Sequence, residues 1–139
     1  MNNKHAYLIM SHNEFDILIE LLKDIDDNRN DIYLHIDKKI KNYPKDKLCA
    51  AVKNSNLFFI PSMKVNWGGY SQIECEMLLM KMACNKGNYD YYHLLTGVTF
   101  PIKNQDEIHK FFQDNNGMEF VGFDKNKDYS HRLIYVHLF

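Results

Sequence analysis

Residues 6–36 read AYLIMSHNEFDILIELLKDIDDNRNDIYLHI, and the alternation inside this stretch decides the fold. Ala6 to Met10 is a compact apolar run of strand length. The polar SHNEF follows at once, with Ser11 or Asn13 placed to cap a helix. Phe15, Ile17, Leu18, Leu21 and Leu22 then recur near the period of about 3.6 residues that marks a helix with one buried side. The polar DIDDNRND closes it, and Ile32 to Ile36 is a second apolar strand. Strand, helix and strand in that order predict a crossover connection and two parallel strands.

The same alternation continues outward. A weaker helix is expected over Lys45 to Lys53, with Pro44 at its start. Leu57 to Ile60 is a third strand, stopped by Pro61. KVNWGGY, residues 64–70, is a loop with two glycines, and Ser71 with Glu74 has the spacing of a capping box. The helix that follows, to about Lys86, carries Ile73, Cys75, Met77, Leu78, Leu79, Met80, Met82 and Ala83, which predicts cover on both sides. Tyr89 to Leu95 is a fourth strand, in which His93 reads as a satisfied core histidine. Asn104 with Glu107 opens an amphipathic helix to about Gln113, ended by Asn116-Gly117. Met118 to Phe123 reads as a fifth strand, followed by a polar loop and the apolar RLIYVHLF. The tyrosines and methionines are expected mostly in the core. The fold class is α/β, a mostly parallel sheet with flanking helices, in a single domain over residues 1–139.

Composition narrows the classes. A chain that is 45% apolar and 14% aromatic can bury a core. A net charge of −1 and a pI near 6.6 offer no basic stripe, so nucleic acid is not the expected partner. Cys49, Cys75 and Cys84 form no CxxC pair and read as free buried thiols of a reducing compartment. No run approaches the ~18–20 apolar residues of a membrane span. A cytoplasmic protein is expected, with membrane association left open. The apolar ending at Phe139 predicts the N-terminal part of a longer protein.

In open parallel sheets, ligands lie beyond the carboxyl ends of the strands. That rule selects Met10, Ser11 and His12, His35 and Asp37, the Trp67-Gly68 turn, and Thr96-Gly97. An acid at a strand end can accept from a base or ribose, an indole can stack, and glycine admits a close approach. Each also has a plainer reading: a turn aspartate, a core tryptophan, an ordinary αβ turn. His35-x-Asp37 lacks a third metal ligand, and Asp24 and Asp26 follow a helix rather than a strand, so no metal is expected. Neither GxxxxGK[ST] nor GxGxxG occurs. Lys103 and Arg132 are the cations that could approach a phosphate.

Taken together, AYLIMSHN, IYLHIDKK, NWGGYSQIECEMLLMK and YDYYHLLTGVTFPIKNQDEI resemble the core-2/I-branching β-1,6-N-acetylglucosaminyltransferases, a family that includes the peptide O-xylosyltransferases and bacterial members. The resemblance covers residues 6–123. It implies a GT-A-like fold and a UDP-sugar donor, with N-acetylglucosamine or xylose transferred to a carbohydrate or peptide hydroxyl. Inversion without a metal or other cofactor is implied too. Asp37 matches an aspartate that contacts uracil, and Trp67 an aromatic position near the nucleotide. Thr96-Gly97 matches a loop facing the donor, and Met10 to His12 a strand end beside the uridine. Thr99 departs from a position that is often aspartate. The catalytic carboxylate and the cations for the leaving diphosphate are expected beyond Phe139, in a C-terminal part that completes the domain. The chief alternative is a non-catalytic nucleotide-binding or protein-interaction module. A response-regulator-like domain would need paired acids after the first strand, which are not there.

Overall fold

A computed structural model describes residues 3–120. Four strands, β1 (His5–Ser11), β2 (Asn30–Ile36), β3 (Asn56–Phe59) and β4 (Tyr91–Thr96), alternate with helices α1 (Phe15–Asp24), α2 (Lys45–Ala51), α3 (Ser71–Lys86) and α4 (Gln105–Asp114). The strands form one sheet in the order β3-β2-β1-β4. Every pairing is parallel, with Ser11 opposite Ile36 and Met10 opposite Thr96. All four strands therefore end on one edge, and the loops that leave them gather there.

Period-two alternation divides the strands between two cores. Tyr7 and Ile9 of β1 join Ile32, Leu34 and Ile36 of β2 against Leu18, Leu21 and Leu22 of α1 and Leu48 of α2. Ala6 and Leu8 join Tyr33 on the other face, against Cys75, Leu79 and Ala83 of α3. Each fully buried leucine or isoleucine contributes roughly 1.5–3 kcal/mol.

Polar side chains of the amino half of the sheet satisfy one another. Asn30 donates to the Ile25 carbonyl and to Gln105 Oε1, both at 2.8 Å, and its Oδ1 meets His109 Nε2 at 2.9 Å. Gln105 also accepts from the Tyr7 hydroxyl. Asp31 accepts from the Tyr89 hydroxyl at 2.6 Å, from Asn56 and from Lys4. His5 stacks on His109 with ring centroids 4.0 Å apart and bonds His93 at 3.0 Å. His93 thus has the partner expected of it, but it is half-buried rather than a core residue.

Several local expectations are corrected. Neither Ser11 nor Asn13 caps α1. Glu14 sits at its N-cap with φ 49°, and the Ser11 hydroxyl turns to the Asn13 carbonyl because Ser11 is still the last residue of β1. Ser71 and Glu74 form no capping box. Tyr70 is the N-cap of α3, and the Ser71 hydroxyl accepts from the Asn66 N–H instead. Asn104 does cap α4, accepting from the Glu107 N–H. Helix α3 is buried only along Cys75, Leu79 and Ala83, one stripe four residues apart, so Ile73, Met77 and Met80 are exposed rather than covered. Tyr70 and Met118 are exposed too, whereas Tyr7, Tyr33 and Tyr89 belong to the core. Cys75 is buried, but Cys49 and Cys84 are not. Residues 118–120 carry no strand, and the rest of the expected fifth strand lies outside the described residues, as does RLIYVHLF.

A candidate binding site at the carboxyl edge of the sheet

The loops leaving β1, β2 and β4, with the segment between β3 and α3, enclose a cleft of about 560 Å³. Met10, Ser11, His12, His35, Asp37, Trp67, Thr96 and Gly97 all line it. These positions come from four separate chain segments, and parallel pairing brings them together. Gly68 stands just outside. It has φ +69°, a left-handed conformation that suits glycine, and its N–H donates to Gln72 Oε1 at 2.8 Å.

Asp37 follows the last residue of β2 and is 4% exposed. Its carboxylate accepts from the backbone N–H of Lys39 at 2.8 Å and of Val65 at 3.3 Å, and the Lys39 ammonium lies 3.4 Å away. Burial opposes its charge, but those three donors outweigh the burial and hold its carboxyl below the ordinary carboxylate range. Asp37 therefore presents a fixed negative acceptor at the cleft wall. His35, also buried, accepts at Nε2 from the Met63 N–H at 3.0 Å. Burial keeps this imidazole more weakly basic than usual, against the pull of Asp37.

The β4 side of the cleft depends on a close approach. The Gly97 N–H donates to the Met10 carbonyl at 2.9 Å. A Cβ on Gly97 would lie 2.7 Å from Ser11 Oγ and 2.9 Å from Ser11 Cβ. Only glycine lets the β4 loop lie against the end of β1 at this distance. The Thr96 and Thr99 hydroxyls share a 2.7 Å hydrogen bond on the open side.

Trp67 is 94% exposed, which removes the reading of a core tryptophan. Its backbone neighbours are nonetheless tied down: Asn66 to Ser71, and Gly68 to Gln72. An indole on a fixed backbone beside a cleft is a surface for stacking a flat ring.

Sequence reasoning overlooked Lys39, Val65 and Gln72, which also line the cleft. Lys39 reads as a solvated turn lysine until the fold turns its ammonium back onto Asp37. Lys103 does not join them. The loop after β4 carries it to the start of α4, where it pairs with Glu107 at 2.9 Å. There it borders a second, larger hollow of about 830 Å³ with Tyr7, His93, Leu95, Phe111 and Phe112. That hollow is the open flank between β4 and α4, where Lys103 pairs with Glu107 and Lys110 with Asp114 along the helix; the smaller cleft, at the carboxyl ends of the strands, is the candidate site. Arg132 lies outside the described residues. Asp26 is spent on structure: its carboxylate accepts from the N–H groups of Lys53, Asn54 and Ser55. Among the described residues no group of His, Cys, Asp or Glu side chains is placed to hold a metal ion.

A parallel α/β sheet with fixed polar groups at its carboxyl edge defines a class of ligand-binding enzymes and modules. Within it, residues 5–135 match the family model of the Core-2/I-Branching enzyme, and the chain belongs to that family. It is 30% identical over 106 residues, 74% of its length, to a human protein named probable beta-1,3-galactosyl-O-glycosyl-glycoprotein beta-1,6-N-acetylglucosaminyltransferase 7. The pig protein of the same name is 27% identical over 111 residues. The chain spans about a quarter of the length of these relatives, 25% and 26% respectively. No helix among the described residues is long and apolar enough to cross a membrane.

Proposed function

We propose that this chain forms the donor-holding part of a glycosyltransferase that moves a sugar from a UDP-sugar to a hydroxyl of a carbohydrate or peptide acceptor. N-acetylglucosamine is the favoured sugar, because the relatives are named for it; xylose is the second candidate. The observation that carries this reading is the convergence of Asp37, Trp67 and Thr96-Gly97 on one cleft of about 560 Å³. Asp37 accepts from the uracil N–H, the Trp67 indole stacks along the nucleotide, and the open backbone at Gly97 admits the diphosphate side.

Transfer with inversion needs a base for the acceptor hydroxyl and cations for the departing diphosphate. In this reading both come from parts of the enzyme beyond the described residues. The described chain supplies the third requirement, an oriented donor. We further propose that no metal takes part: Asp37, the carboxylate at the cleft wall, is already paired with Lys39.

The test is calorimetric titration of the chain with UDP and UDP-N-acetylglucosamine. Saturable binding is expected, and Asp37→Ala should weaken it about tenfold or more, the scale of one lost charge-assisted hydrogen bond. Asp26→Ala removes an equally well-bonded carboxylate from the opposite end of β2 and should leave affinity unchanged. No saturation, or equal effects of the two substitutions, defeats the assignment.

A further inference from the structure

Trp67 has almost no packing of its own, yet it must be held if it is to serve a ligand. Its position is inherited from the backbone on either side. Downstream, Asn66 and Gly68 are fixed by Ser71 and Gln72 of α3. Upstream, the irregular segment after β3 is tied to the end of β2 by four bonds. The Met63 N–H donates to His35 Nε2 at 3.0 Å, and the Met63 carbonyl accepts from the Lys38 N–H at 3.0 Å. The Val65 N–H donates to Asp37, and the Val65 carbonyl accepts from the Lys39 ammonium.

Among these anchors His35 has a feature the others lack. A backbone N–H can only donate, so the nitrogen facing Met63 must be bare. The bond exists only for the neutral imidazole with its proton on Nδ1. A protonated ring would turn a donor toward a donor. His35 is 1% exposed at an inward strand position where an aliphatic side chain would pack with less desolvation. A polar ring there serves the segment it bonds.

We propose that His35 is a positioning residue: through Met63 it clasps the segment after β3 to the end of β2, and so sets where the Trp67 indole stands at the cleft. The proposal rests on the reading of the cleft as a nucleotide site only for its consequence in binding. The clasp itself is a property of the unliganded chain. Few charged or titratable groups face the ring. Asp37 is on the same strand end, with Lys39 bonded to it. His12 borders the cleft from the β1 loop, and on α3 the Cys75 thiol feels the charges of Glu76 and Asp37. Burial favours the neutral ring over the attraction of Asp37, which keeps the clasp closed at neutral pH.

Trp67 is the only tryptophan of the sequence, so its fluorescence anisotropy reports on this segment alone. The comparison is wild type, His35→Gln and His35→Leu at pH 7.5, with far-UV circular dichroism checking that each folds. A glutamine amide oxygen falls near the place of Nε2 and can accept from Met63; leucine cannot. Wild type and His35→Gln should share high anisotropy and UDP affinities within about threefold. His35→Leu should show lower anisotropy and about tenfold weaker UDP binding. A His35→Leu protein with wild-type anisotropy would overturn the clasp. If wild type fails to bind UDP, the donor reading falls, while the anisotropy still decides the clasp. If His35→Leu does not fold, nitrogen-15 spectra of the wild-type imidazoles settle the matter. A bare Nε2 on His35 at pH 7.5 supports the proposal, and a protonated Nε2 refutes it.

Discussion

The two ends of the sheet treat polar side chains differently. At the amino end, side chains are bonded to other side chains deep in the structure: Asn30 with Gln105 and His109, Asp31 with Tyr89 and Asn56, His5 with His93. At the carboxyl edge, Asp37 and His35 reach instead for the backbone of loops, and leave the indole, hydroxyls and glycine of those loops facing a cleft. Buried polar groups that close on one another rigidify a fold. Polar groups that fix loops around open space prepare a site. The contrast separates what holds this chain together from what it offers to a ligand, although the residue types at the two ends are much the same.

The largest expected effect comes from acid acting on the amino end. Burial, with the neighbouring His109, His93 and Arg29 adding to it, lowers the His5 pKa to about 3. Burial and His109 lower that of His93 to about 4, and His109 is lowered by burial and Arg29, against Asp27 and Asp106. The unfolded chain takes up protons on these rings as pH falls below their ordinary value of 6.5, while the folded chain refuses them. Stability is therefore full above that pH and declines below it, by about 1.4 kcal/mol per pH unit for each ring that stays neutral. Urea midpoints measured at pH 7.5, 6, 5 and 4.5 should fall steeply through this series. A flat profile would show that the rings accept charge without loss and that the amino end is not the closed network described.

Next in size is Asn30→Ala, which removes three hydrogen bonds at once: the Ile25 carbonyl and His109 Nε2 lose this partner, and Gln105 Oε1 keeps only the Tyr7 hydroxyl. His109 would then have neither ring nitrogen bonded, since no partner for its Nδ1 is found among the described residues. A loss of about 3 kcal/mol is expected from two unsatisfied groups and one acceptor left with a single partner. Thermal unfolding should register it, and a loss below about 1 kcal/mol would mean that water repairs the network. Smaller again is Gly97→Ala, a single methyl placed 2.7 Å from Ser11 Oγ at the carboxyl edge. Overpacking of this kind costs roughly 1–3 kcal/mol. Because the strain falls on the cleft wall, UDP affinity should drop as well, by more than the change in unfolding midpoint would suggest.

The alternation of apolar runs and helical periods made the order of elements and the parallel sheet readable. The location of the cleft followed, because parallel strands must all end on one edge. What could not be read was how a given side chain is used. Ser11 and Ser71 look like caps, but one ends a strand and the other accepts from a loop N–H. Helix α3 carries apolar residues all round, and composition does not say that only the stripe of Cys75, Leu79 and Ala83 meets the sheet. His5, His93 and His109 are far apart in sequence, and no spacing rule unites them before the strands do. Lys39 was hidden for the same reason, since its bond to Asp37 depends on the turn that follows β2.

Trp67→Ala should have the smallest effect on stability and the most selective effect on binding. With 94% of its surface exposed, the residue gives up little apolar burial when truncated, and the anchors at Asn66 and Gly68 are backbone bonds that survive the change. An exposed substitution of this kind shifts unfolding free energy by about 0.5 kcal/mol or less. Stacking of a base on an aromatic ring contributes about 1–3 kcal/mol. UDP affinity should accordingly fall by roughly tenfold while the urea midpoint stays put, the reverse of Asn30→Ala. If the alanine protein bound UDP as wild type does, the indole would have no part in holding the ligand. If it unfolded at markedly lower urea, Trp67 would belong with the amino-end residues as a structural support, and the division between the two ends of the sheet would fail at its clearest point.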